Sequence, residues 1–120
     1  MIDLIEGFPD GVVAAVATGR VSKRDYDDVL IPKIEESLRH HDKLRLYYQL
    51  GPQFLGLEPA AIWADFAVGV EHLLRWERIA VVTDVDWIQN AVNAFRFLMP
   101  QVRVFMNSEA SDARAWIVTG

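Results

Sequence analysis

Five stretches of the chain carry strand-like hydrophobic patterns, and four others repeat their apolar residues at helical spacing. Met1 to Ile5 alternates as a short strand, and Gly7-Phe8-Pro9-Asp10-Gly11 supplies the Gly, Pro and Asp of a turn, so a hairpin into the next stretch is predicted. Val12 to Thr18 is continuously apolar and β-branched, the pattern of a strand covered on both faces. Leu44 to Leu50 alternates, placing Leu44, Leu46, Tyr48 and Leu50 on one side and Arg45, Tyr47 and Gln49 on the other. Ile79 to Thr83 is a further buried-type strand, and Val102, Val104 and Met106 alternate with Arg103 and Phe105 as the last.

Between these lie the helices. Ser22 with Asp25 three residues on reads as a capping box, after which Tyr26, Leu30, Ile34 and Leu38 line one face. Pro32 falls within that helix and predicts a kink, because it removes a backbone donor and crowds the preceding turn. A Gly/Pro loop over 51–58 precedes a second helix starting at Pro59, in which Ile62, Trp63, Phe66, Val70, Leu73 and Leu74 form the apolar arc. Asp86 with Gln89 predicts the cap of a third helix running to about Met99, stopped by Pro100, and Ser108 that of a final helix through Trp116. The order ββαβαβαβα predicts an α/β fold: one domain over residues 1–120, with a mixed, mostly parallel sheet of about five strands and about four helices.

At 120 residues with 52% hydrophobic and 24% charged residues, the chain has the composition of a folded globular domain. Its lack of cysteine excludes disulfides, thiol nucleophiles and Cys-based metal sites, and fits a reducing compartment. A net charge of -5 without a basic run argues against nucleic acid as a partner. The longest uncharged stretch, Leu46 to Leu57, is too short for a transmembrane segment, and the N-terminal residues lack the pattern of a secretion signal. A cytoplasmic protein is expected.

The segment Arg78-Ile79-Ala80-Val81-Val82-Thr83-Asp84 with Trp87, followed by Arg103-Val104-Phe105 leading into Glu109, Ala113 and Trp116, resembles the SpoIIAA-like family. That family shares the STAS-type fold and is also compared with the CRAL-TRIO lipid-binding domain. The resemblance covers nearly the whole chain and implies a small α/β domain that acts through protein contacts or binds apolar ligands. In the anti-sigma-factor-antagonist branch a Ser or Thr just before the second helix is phosphorylated. Here no Ser or Thr occurs between Ser37 and Thr83, so that switch has no acceptor hydroxyl.

The candidate chemistry is sparse. Asp84-Val85-Asp86 after a strand resembles the DxD start of haloacid-dehalogenase phosphatases, but residues 87–120 contain no lysine to complete such a site. Asp86 is therefore read as a helix cap and Asp84 as a loop carboxylate, the better functional candidate of the two. His40-His41-Asp42 sits at a predicted helix end without metal-ligand spacing, and no Gly-rich phosphate loop occurs. No catalytic residue, metal or cofactor is assigned. The loops at 51–58, 84–87 and 107–108 should emerge at the carboxyl ends of the strands, where open α/β sheets bind ligands. Phe54, Leu55 and Trp87 with Gln53, Asp84 and Asn107 would form a mostly apolar mouth, and Phe97 is a further aromatic outside the apolar arcs. These features imply first a non-enzymatic STAS-like interaction or regulatory domain, with an unidentified protein partner and a possible homodimer. The alternative is a carrier or sensor of a small, lipid-like apolar ligand entering between the second and third helices beside Phe54 and Trp87. Gly51, Gly56 and Gly69 would let the second helix swing from the sheet.

Overall fold

The computed structural model describes residues 1–61 and 75–119. Five strands form one sheet in the order of the sequence: β1 (Ile2–Leu4), β2 (Val12–Val21), β3 (Leu44–Leu57), β4 (Trp76–Thr83) and β5 (Val102–Phe105). The β1–β2 hairpin is antiparallel, and the other three pairings are parallel. This is the mixed, mostly parallel α/β sheet that the pattern predicts. The continuous apolar run of β2 is explained by its two covered faces. Val13, Ala15 and Ala17 enter one core layer, and Ala14 enters the layer on the opposite face.

A helical run, here α1, comprises α-helix over Lys23–Asp25, a π-helical turn over Tyr26–Leu30 and α-helix over Ile31–Leu38. The predicted capping box is present: the Ser22 hydroxyl accepts from the Asp25 N–H, and the Asp25 carboxylate accepts from the Ser22 N–H at 2.8 Å. The irregularity expected of Pro32 appears as the π turn ahead of it. Ile31 N–H bonds back to the Tyr26 carbonyl, and Pro32 falls in the first turn of the following α segment, where its missing N–H costs least. Arg75 closes the other end of α1, donating to the carbonyls of Leu38, His41 and Asp42, so the His40-His41-Asp42 stretch is a helix terminus.

Several boundaries differ from expectation. The chain does not leave the sheet at Gly51: β3 continues to Leu57, and its last residues pair with β2 through Gly19↔Phe54, Arg20↔Gly56 and Val21↔Leu57. Between the Ala17↔Leu50 and Gly19↔Phe54 pairs β3 advances four residues while β2 advances two. Gly51 and Pro52 therefore mark a bulge inside a long strand, where a residue without an N–H is tolerated. Gly19, on the facing strand, takes φ +62°, a left-handed conformation suited to glycine.

The second correction concerns Asp86. Helix α2 (Asp86–Phe95) begins with Asp86 as its first helical residue and Val85 as the flanking one, without a side-chain cap bond. The start is fixed instead by buried Thr83, whose hydroxyl accepts from the Val85 N–H and whose carbonyl accepts from the Gln89 side chain. Helix α2 ends at Phe95, four residues before the predicted Met99. The last helix, α3 (Ala110–Val118), follows a 3-10 turn over Asn107–Glu109. Its entry is held by the Glu109 carboxylate accepting from the Met106 N–H, so Ser108 lies inside the turn and is not its cap.

Helices α1 and α2 share one face of the sheet, with Tyr26, Leu30, Ile34 and Ile88 packed on Leu44, Leu46, Tyr48 and Leu50. Helix α3 covers the other face through Ala113 and Ile117 against Tyr47, Ala80, Val82 and Phe105. Neighbouring Arg45 and Arg78 reach under α3 and donate to the carbonyls of Trp116, Ile117 and Thr119, neutralising the negative helix end. The predicted second helix begins as expected, with Pro59, Ala60 and Ala61 helical, and the remainder of its arc, Ile62 to Leu74, lies outside the described residues.

The capping box gives a pH prediction. The Ser22 backbone N–H, the largest influence on Asp25, holds its carboxyl below the ordinary value. Its contribution is therefore complete above about pH 4 and is lost as pH falls through the lowered folded-state value. Asp25→Asn should reduce stability by about 1 kcal/mol at pH 7. In urea denaturation at a series of pH values, the gap to the unsubstituted protein should narrow below about pH 4.

Candidate functional site

The side chains of alternate residues in a strand share a face, so Leu46, Tyr48 and Leu50 of β3 stand beside Ile79 and Val81 of β4 above the sheet. Helix α1 borders this surface with Leu30 and Ile34, and α2 with Ile88, Val92 and Phe95. Between the helices and the two central strands is a cavity of about 220 Å³. Trp76, at the first residue of β4, lines it at one end, and Trp87, in the first turn of α2, lines it at the other. Trp76 is 4% exposed and Trp87 48%, which makes Trp87 the rim. Among the described residues the lining contains no Lys, Arg, His, Asp or Glu.

Two polar features interrupt this apolar surface. The Tyr26 and Tyr48 hydroxyls lie 2.8 Å apart and are hydrogen-bonded, with their rings edge to face at 6.3 Å. Both tyrosines are buried, and each hydroxyl is a hydrogen-bond partner of the other. Trp76 differs: its Nε1 is buried without a hydrogen-bond partner.

The predicted residues divide into four places. Trp87 lies at the cavity. Gln53, Phe54 and Leu55 lie on the β3 extension, which passes the Leu50↔Thr83 end of β4 and pairs with β2; Phe54 packs half-buried on the core, while Leu55 is 78% exposed. Asp84 and Asn107 are brought together, because the Asp84 carboxylate accepts from both the backbone and side-chain N–H groups of Asn107, at 2.9 and 3.1 Å. This bond joins the carboxyl ends of β4 and β5, so Asp84 has a structural task. Phe97, in the turn after α2, stands apart at 92% exposure, since the ten residues of α2 carry the chain about 15 Å from the Trp87 end.

Sequence reasoning looked for the site among loops and overlooked its floor. Tyr48 within an otherwise aliphatic alternation was the available signal, since a buried phenol requires a partner. Trp76 had weaker notice, because the strand signal starts at Ile79. Among the described residues, no group of three or more His, Cys, Asp or Glu side chains is placed to hold a metal ion, and no helix is long and apolar enough to cross a membrane.

A model of the SpoIIAA-like family matches residues 12–118. Among solved structures, the chain is similar to the crystal structure of an uncharacterized protein with a SpoIIAA-like fold from Shewanella loihica PV-4. The two are 20% identical and superpose with a TM-score of 0.73 over 98% of this chain and 92% of that one. At this identity the likeness shows the fold alone. No curated protein matches the chain.

The tyrosine pair provides a stability test of the cavity floor. Tyr26→Phe or Tyr48→Phe should each cost about 1 kcal/mol by removing the hydrogen bond between the two hydroxyls. The double variant should cost less than the sum of the two, a non-additivity measurable by chemical denaturation.

Proposed function

The chain belongs to the SpoIIAA-like family and has its α/β fold, and on that fold we propose a binding domain, not an enzyme, whose ligand is a small apolar molecule held between α1 and α2. The observation that carries this reading is the cavity. At about 220 Å³ it exceeds an apolar cavity of about 150 Å³ that stays dry and binds benzene or xenon. An apolar occupant gains dispersion contacts with this lining. The lining suits a hydrocarbon: aliphatic and aromatic side chains, without a described charge.

The non-enzymatic part rests on the chemistry present. Asp84 is engaged with Asn107, and no described base or nucleophile faces the cavity. The lack of a Ser or Thr between Ser37 and Thr83 supports a mode of action without the Ser/Thr phosphorylation switch. The absence of cysteine supports a cytoplasmic setting.

Protein contact is the second reading, and a separate observation favours it. Phe97 and Leu98 are adjacent in the turn after α2 and are both exposed. Paired large apolar side chains of this kind are common at interfaces, and self-association is the simplest form of it.

The first reading predicts that freshly purified protein carries an extra mass in native mass spectrometry that disappears on denaturation. Ala91→Phe, at an exposed position on the cavity lining, should abolish it while preserving the fold by circular dichroism; a clean apo mass, together with no uptake of added hydrocarbon, would overturn the reading. The second predicts that Phe97→Ser shifts sedimentation velocity toward monomer and leaves any bound mass in place.

A further inference from the structure

We infer that the cavity selects an unbranched alkyl chain of about nine carbons, lying single file along α2, over a compact ring of the same carbon count. This deepens the ligand-binding reading proposed above and rests on it. The capacity of the cavity follows from its volume. An apolar cavity of about 150 Å³ takes up benzene, so in proportion to carbon count about 220 Å³ takes up about nine carbons. Its length follows from the elements that line it. On α2 the lining runs from Trp87 to Phe95, and the helix between them covers about 12 Å at about 1.5 Å per residue. On β3 it runs from Leu46 to Leu50, and the strand between them covers about 13 Å at about 3.3 Å per residue. A helix and a strand on different sides of the space thus give the same length.

Volume and length are met together by one shape. An extended hydrocarbon advances about 1.2 Å per bond, as a polypeptide covers three bonds in about 3.6 Å, so about nine carbons in line span about 10 Å between their ends. With van der Waals contact at about 4 Å from each terminal methyl, such a chain touches the lining at both the Trp87 and the Phe95 ends. A ring folds the same carbons into a shorter, wider body. It reaches one end of the stripe only and needs α2 to stand farther from the sheet, which the packing of Ile88 into the core resists. Ala91, midway along the stripe, leaves the chain room to pass, where a larger side chain would divide the cavity. No Lys, Arg, His, Asp or Glu among the described lining residues offers a counter-charge, so the enclosed part of the ligand is uncharged hydrocarbon.

The test compares n-nonane with 1,3,5-trimethylcyclohexane, which carry the same number of carbons, by headspace partitioning on the unsubstituted protein. Dividing each affinity by the probe's own transfer from water to hexadecane cancels the difference in hydration. The linear probe should then bind about tenfold more tightly, the equivalent of about two methylenes that the ring leaves unseated. In the series from n-pentane to n-undecane, the corrected affinity should fall beyond about nine carbons. Val102→Phe, which fills the end of the cavity away from Trp87, should move that limit to shorter chains. Should that variant fail to fold, the ring comparison and the length series decide alone. A ring that binds as well as the chain, a corrected affinity that keeps climbing through n-undecane, or a limit unmoved in folded Val102→Phe would overturn the single-file shape while leaving the ligand reading in place. Failure of both nine-carbon probes to bind the unsubstituted protein would remove both.

Discussion

The structure depends on one topological constraint: the strand order runs from β1 to β5 without reversal while the last three pairings are parallel. A crossover between adjacent parallel strands is right-handed in nearly all proteins, so successive crossovers that advance in one direction deliver their helices to the same side. Helices α1 and α2 accordingly share a face, and α3, which follows the last strand, is left to cover the other. The asymmetry reaches down to composition. On the α3 face, small Ala14 and Ala80 admit a single helix and the rings of Phe8, Tyr47 and Trp116, with Arg78, Arg103 and Arg114 stacked on those rings. On the α1 and α2 face the residues are larger and more uniformly apolar, and there the cavity lies over the two central strands.

Polar atoms on that face are treated in two ways, and the contrast gives the cavity its character. Tyr26 and Tyr48 come from different elements and are hydrogen-bonded to each other, which fixes the π-turn end of α1 against β3. Trp76 carries a donor of similar strength into the same apolar surroundings without such a partner. Its backbone carbonyl is engaged by Gln101, so the strand start is anchored while the indole nitrogen is not.

The strand pattern was highly legible because burial on one or both faces writes itself into alternation or continuity, as in Leu44–Leu50 and Val12–Thr18. The first capping box was equally plain, since Ser22 and Asp25 act over three residues. What misled was punctuation decided by distant partners. Gly51 and Pro52 read as the end of a strand, yet β2 continues opposite them and absorbs them as a bulge. Asp86 has the side chain of a cap, yet buried Thr83, three residues earlier, takes over the start of α2. Likewise Asp84 looked available until the chain returned with Asn107 from β5. Phe97 stood out because its helix was taken to extend to Met99, whereas α2 stops at Phe95 and leaves it in a turn.

The site was harder to read than the fold for a physical reason. Loops can be recognised locally, and the rule that α/β sheets bind ligands beyond their strand ends directed attention there. A cavity inside the packed face has no local signature, since each lining residue serves equally well as core. Leu46, Ile79 and Val92 would carry the same periodicity in a domain with no cavity. What separates the two cases is how the helices and strands pack against one another, a property of the assembled fold. Trp87, the predicted residue that does line the cavity, was found because it begins a helix at a strand end, where a local signal and a global position coincide.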